Sequence, residues 1–208
     1  MSVSEEARAA TVAAPSIADP APLGLAAFAL TTFLLSAKNA GLMGSASGDA
    51  WLGYAFAYGG FTQLLAGMWE FRNKNVFGAT AFGSYGGFWI GLGLWALLVA
   101  PKATDKAAAG HDIGWILLAF AIFNTYMLIM SLGVNMAVFG VFLTLEITEV
   151  VLFIGAFAGN DSINKIGGWI GIITAVVAWY TSAAGVSNGI PGGKIRLPVG
   201  RALVSSAG

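Results

Sequence analysis

Long apolar stretches alternate six times with short clusters of glycine, asparagine and charge. Residues 22–43, 51–70, 79–100, 113–132, 134–158 and 166–187 each hold about 20 mainly apolar positions, the length a helix needs to cross a hydrocarbon core. The breaks are Gly44-Ser45-Ala46-Ser47-Gly48-Asp49, Arg72-Asn73-Lys74-Asn75, the link 101–112, the tight turn Ser131-Leu132-Gly133 and Gly159-Asn160-Asp161. The pattern predicts an all-α membrane protein, six transmembrane helices in a compact bundle. An even count places both termini on one side. Residues 1–18 read as a disordered tail, 19–188 as the six-helix domain and 189–208 as a Gly- and Pro-containing C-terminal tail. No internal repeat is visible, which argues against an inverted-repeat transporter.

Composition strengthens this picture. Only 10% of the 208 residues are charged, against about a quarter in a soluble domain, so lipid must cover much of the surface. The net charge of zero and the single histidine leave no basic face for nucleic acid. Without cysteine there is no disulfide or thiolate chemistry. The terminal side holds Arg8, Arg72, Lys74, Lys194, Arg196 and Arg201; the other side holds Lys38, Lys102, Lys106 and Lys165. The positive-inside rule then puts both termini in the cytoplasm of a cell (plasma or inner) membrane.

Gly83, Gly87 and Gly91 follow at four-residue spacing, as do Gly167 and Gly171. Small residues at that spacing let helix backbones approach closely in lipid, and close packing is the expectation. Less easily placed are Glu146 and Glu149, inside the otherwise apolar run 134–158. A carboxylate at the centre of a membrane helix costs roughly 2.5–3.5 kcal/mol on insertion scales.

The opening of the first segment, Asp19-Pro20-Ala21-Pro22-Leu23-Gly24-Leu25, resembles the N-P-A-P-L-G-L signature of the acetate uptake transporter family, whose bacterial members include the acetate–succinate permeases SatP or YaaH. Asp19 stands where that signature has Asn, a mild change because both cap helix starts. Lys38-Asn39-Ala40-Gly41, Tyr58-Gly59-Gly60, Gln63, Ala66-Gly67-Met68-Trp69-Glu70, Asn75-Val76-Phe77-Gly78, Thr80-Ala81-Phe82-Gly83-Ser84-Tyr85-Gly86, Gly168-Trp169-Ile170-Gly171 and Leu197-Pro198-Val199-Gly200 are similar to family landmarks in the same order. The resemblance implies a homohexamer in which each protomer has its own narrow path for acetate and, in some members, succinate. It implies a pore constriction formed by Phe28, Tyr85 and Leu145, with Ala178 as a small pore-facing residue. No cofactor or metal is implied.

Helical phase extends this. At 100° per residue, Thr32 and Asn39 fall within roughly 40° of Phe28, a stripe of one aromatic and two polar groups. Thr32, Tyr85, Asn39 and Asn124 are candidate pore-lining donors that replace part of the hydration a carboxylate sheds at an apolar neck. Glu149 lies about 40° from Leu145 and Glu146 about 100°. Two readings stand for these glutamates: proton coupling, with at least one protonated during transport, or plain hydrogen bonding to a neighbouring helix. For Glu70 they are a solvated interfacial charge or an ordering role in the link 73–78. Lys38 reads equally as an anion-attracting entrance and as a snorkelling lysine.

Other classes fit less. An enzyme would need a metal cluster, an activated nucleophile or paired acids in a cavity, and the two glutamates are the sole candidate dyad. A retinal protein would need a lysine in mid-span of its last helix, whereas Lys165 precedes it. The expectation is transport of small carboxylates, proton-coupled, with a passive anion channel or a non-transporting scaffold as alternatives.

Overall fold

The computed structural model describes residues 17–44 and 49–204. Helix α1, Ala21–Asn39, starts where Asp19 Oδ1 accepts the Ala21 amide at 2.9 Å, and stops before Gly41, whose φ is +78°. The rod α2 covers residues 50–72. Its α-helical pieces, Ala50–Phe56 and Gln63–Arg72, are joined by a π-helical turn, Ala57–Thr62. Helix α3, Val76–Leu94, continues through a π turn, Trp95–Val99, and a short 3-10 turn, Ala100–Lys102. Helices α4 (Lys106–Ser131), α5 (Met136–Ala158) and α6 (Asp161–Gly189) complete the order.

Asn75, Asp105, Asn135 and Asn160 cap α3 to α6, each accepting from a backbone N–H in the first turn. Such caps satisfy donors that a helix start leaves orphaned. Asp105 explains one departure from expectation. The Lys106–Gly110 stretch, read as part of a long link, is already helical, because Asp105 starts the helix and three alanines carry it forward.

Among the described residues five helices are long and apolar enough to cross a membrane: α1, α3, α4, α5 and α6. In α2 the π turn divides the regular helix into shorter pieces. Phe61, Trp69, Ile122, Ile173 and Val176 point outward and are more than half exposed, giving the apolar coat expected of a protein in lipid.

Glycines set the closest crossings. A Cβ on Gly168 would meet the backbone of Ser36, Asn39 and Ala40, and one on Gly171 would strike Ser36 Oγ, so α6 and α1 pack backbone to backbone. On Gly67 it would lie 2.6 Å from the Gly83 nitrogen, fixing α2 on α3. The glycine line Gly83, Gly87 and Gly91 behaves otherwise. Added Cβ atoms on Gly87 and Gly91 meet nothing within 4 Å. These glycines line an open groove between α3 and α4, so the expected seam does not form within one chain.

Residues after α6 return to the bundle. The Leu203 amide donates to Leu132 O at 2.8 Å, the Ala137 amide to Val199 O at 2.9 Å, and the Tyr180 hydroxyl to Pro198 O at 2.6 Å. This tail therefore covers the turn between α4 and α5.

Candidate functional site

Three cavities lie in succession among the helices. The first, about 220 Å³, is bounded by Asp19, Gln63, Glu70, Asn73, Asn75 and Asn135 at its polar rim and by Phe28, Tyr85 and Leu145 at its floor. The second, about 40 Å³, has Phe28, Tyr85 and Leu145 in its wall again, with Thr32, Ser36, Asn39, Thr148 and Glu149. The third, about 310 Å³, shares Leu35, Asn39, Leu117 and Leu152 with the second and reaches Gly159, Asp161 and Asn164, beyond the far end of α5. Phe28, Tyr85 and Leu145 are thus the partition between the first two spaces. The Phe28 and Tyr85 rings meet edge to face with centroids 5.7 Å apart, and all three side chains are buried.

Helix starts hold the partition in place. Pro20 and Pro22 open α1, where a missing N–H costs nothing. Ser182 Oγ on α6 donates to Pro22 O at 2.6 Å. A Cβ on Gly24 would sit 2.7 Å from the Phe82 ring, so that glycine lets α1 close on α3. Leu23 is half exposed and faces away. The signature motif therefore acts on Phe28 by fixing the helix that carries it.

Behind Tyr85 lies a hydrogen-bonded cluster from three helices. Its hydroxyl stands 3.0 Å from Asn124 Oδ1 and 3.3 Å from Glu149 Oε1. Asn124 Nδ2 donates to Phe142 O at 3.0 Å and to Glu146 Oε2 at 2.7 Å. Thr125 Oγ1 lies 2.9 Å from Glu146 Oε1 and 2.9 Å from Ala121 O. Glu149 is buried, and its Oε2 has no partner; Glu146 is half-buried at the outer edge of the chain.

Thr32 and Asn39 lie with Phe28 along one wall, and Thr32 Oγ1 is buried without a partner. Asn124 departs from its expected role. It lines none of the three cavities, and both its amide hydrogens are already used, so it has none to offer a substrate. Ala178 is fully buried in the core and also lies off the cavity walls. Glu70 is fully buried and accepts from Asn73 Nδ2 at 3.2 Å, which replaces the solvated-charge reading by the ordering one. Lys38 pairs with Asp49 and sits 5.8 Å over the Trp51 ring, so its charge is engaged rather than free at an entrance. That pairing holds the Asp49 carboxyl below the usual carboxylate range. Among the described residues no His, Cys, Asp and Glu group could hold a metal ion.

Gln63 is a cavity residue that the sequence pattern does not single out as a site. It is buried in the wall of the first cavity with Oε1 unpaired. An amide near mid-segment, where a soluble-protein eye sees only a polar interruption, was the available signal.

A family model described as the GPR1/FUN34/yaaH family matches residues 3–190. Acetate permease A of Emericella nidulans is 40% identical over 193 residues, covering 86% of this chain and 64% of the relative; the chain thus spans less than two thirds of that fungal protein. The succinate-acetate/proton symporter SatP of Escherichia coli is 38% identical over 185 residues, covering 88% of this chain and 96% of the relative. The solved structure of the bacterial acetate channel SatP superposes with a TM-score of 0.81 at 36% identity, over 88% of this chain and 99% of that one.

Proposed function

The chain belongs to the GPR1/FUN34/YaaH family, and from that premise we propose that it carries acetate, and succinate as a second substrate, across the membrane through the succession of cavities within each protomer. The observation that carries this reading is the partition itself: Phe28, Tyr85 and Leu145 border a cavity on either side, so one ring contact and one aliphatic side chain separate two ends of a path. An anion entering from the first cavity meets Gln63 and the asparagine amides before the neck, and Thr32, Ser36 and Asn39 after it. These donors replace part of its hydration. The neck has no lysine or arginine in its wall, so passage as acetic acid, or as anion with a proton, avoids the cost of a bare buried charge. Glu149 stands beside the neck and is the proton-coupling residue of this reading; Glu146, bonded to Asn124 and Thr125, supports it.

The transport domain is residues 19–188, with α2 as a sixth span. Supporting both termini on one side, Asp19 shares the first cavity with Asn73, Asn75 and Asn135, while the tail residues Val199 and Leu203 bond next to that same α4–α5 turn. The charge division places that side in the cytoplasm, in the cell membrane. Homohexameric assembly is supported by the uncovered glycine face of α3 and the outward edge of Glu146. Such a protein is a transporter, not an enzyme.

The test is labelled-acetate flux into proteoliposomes with and without an imposed pH gradient. Accumulation driven by an inward proton gradient is expected. Saturable flux that only equilibrates favours a passive channel, and flux equal to that of protein-free vesicles would leave a scaffold.

A further inference from the structure

The cluster behind the neck has more accepting oxygens than hydrogens to fill them. Asn124 gives one amide hydrogen to the Phe142 carbonyl and one to Glu146 Oε2. A backbone carbonyl only accepts, so the amide cannot be turned round, and its Oδ1 must face the Tyr85 hydroxyl, 3.0 Å away. Glu149 Oε1 lies 3.3 Å from the same hydroxyl. A phenol has one hydrogen. Whichever oxygen receives it, the other contact sets oxygen against oxygen unless Glu149 supplies a proton of its own.

We propose that Asn124 and Glu149 compete for the hydroxyl hydrogen of Tyr85, and that this competition makes the neck a proton-operated gate with Asn124 as its positioning residue. The inference rests on the acetate reading above. With a proton on Glu149, its O–H donates to Tyr85, Tyr85 donates to Asn124, and Asn124 donates to Glu146. Each of these three contacts then sets a donor against an acceptor, and the neck is uncharged. When Glu149 gives that proton to a water or a carboxylate in the second cavity, it draws the Tyr85 hydrogen away from Asn124. The neck then carries a negative charge that repels an anion, and its hydroxyl has nothing left to donate.

A second observation supplies the route for the proton. Glu149 Oε2 and Thr32 Oγ1 are both buried without partners, and both residues line the 40 Å³ cavity. That space admits a water molecule, which needs roughly 10–15 Å³ by the same measure. The titratable groups facing Glu149 are Tyr85 of α3 and Glu146 of its own helix, with Tyr126 of α4 near Tyr85. Thr32, Ser36 and Asn39 of α1 share the cavity of Glu149, Asn124 of α4 bonds Tyr85, and Thr174 of α6 bonds the neighbouring Thr148; none of these titrates. Glu146 accepts from Asn124 at Oε2, and its Oε1 and the Ala121 carbonyl share the single hydroxyl hydrogen of Thr125.

The experiment is exchange of labelled acetate across proteoliposomes held at equal internal and external pH from 5 to 8, with protein-free vesicles subtracted. Glu149→Gln donates as the protonated acid does but does not titrate. Dividing wild-type exchange by Glu149→Gln exchange removes the ionisation of acetate itself. The ratio is expected near one at acid pH and to fall about tenfold or more by pH 8. A ratio flat across the range overturns the gate. Asn124→Leu removes the rival acceptor and is expected to move the fall to lower pH, whereas Tyr85→Phe removes the contested hydrogen and moves it to higher pH. A purely structural Asn124 would lower exchange by one factor at every pH, and displacements in the same direction, or none, overturn the competition. Wild-type vesicles that exchange no acetate at any pH overturn the acetate reading together with the gate; exchange with a flat ratio overturns the gate alone.

Discussion

Replacing Gly168 by alanine should damage the molecule far more than one methyl group suggests. The new Cβ would lie 2.8 Å from the carbonyl carbon of Asn39 and 2.8 Å from Ser36 O, and closer still to the Ala40 amide. Ordinary van der Waals contacts of carbon lie near 3.5–4.0 Å. All three obstacles are backbone, so no side chain can swing aside, and α1 and α6 must separate by about 1 Å at this crossing. Overpacking of well-packed contacts costs about 1–3 kcal/mol, and a backbone obstacle belongs at the upper end. For a chain of this size that lowers Tm by roughly 6–12 °C. The measurement is thermal unfolding of the purified protein in detergent, followed by loss of the monodisperse peak on size exclusion. Gly53→Ala is the control: its Cβ meets nothing within 4 Å, and helix propensity favours it by up to about 1 kcal/mol. Equal Tm values for Gly168→Ala and wild type would falsify the backbone-to-backbone crossing. Because Asn39 lines two cavities beside this crossing, acetate flux should fall in parallel.

Leu145→Ala joins the first two cavities and should raise the lactate-to-acetate flux ratio by about tenfold in proteoliposomes, the scale on which a pocket discriminates a small apolar group; an unchanged ratio would remove Leu145 from the neck. Asn160→Ala deletes the acceptor for the Ser162 and Ile163 amides and should cost about 1 kcal/mol, read as a Tm drop of roughly 2–4 °C. Asp49→Asn should matter only away from acid. The Lys38 pair lowers the folded-state pKa of Asp49, so its stabilisation is complete above the unfolded-state value and disappears as pH falls through the folded one. The pair is exposed, so the Tm gap at pH 7 should be at most about 2–4 °C. It should close as pH falls below the ordinary carboxylate range, and a gap that widens in acid contradicts the assignment.

The helices were legible because a spanning helix must be apolar over its whole length and polar at its ends. Among the described residues five meet that measure, and α2, divided by its π turn, does not. The start of α4 was misjudged for a local reason: charge and a histidine made residues 106–112 look like a link, while Asp105 was capping a helix there. Phe28, Tyr85 and Leu145 came from likeness to a family, and the structure brings them together as one partition. Asn124 shows what a single sequence withholds. A polar residue in a membrane helix announces only that it needs partners, and here the partners proved to be Phe142, Glu146 and Tyr85. The glycine line on α3 was indistinguishable in sequence from the lines on α6, because spacing does not say whether a neighbour is present.

The strap that runs from Pro198 to Leu203 makes the C-terminal end a poor place for surgery. Its peptide groups latch the corner between α4 and α5, where Val134 and Asn135 line the first cavity. Trimming the chain back to Gly189 would strip those latches from the corner that Val134 and Asn135 present to that cavity, so a shortened version could fold in full and still conduct poorly. A reporter or affinity handle belongs past Val204, behind a flexible spacer, where pulling on it does not peel the strap away.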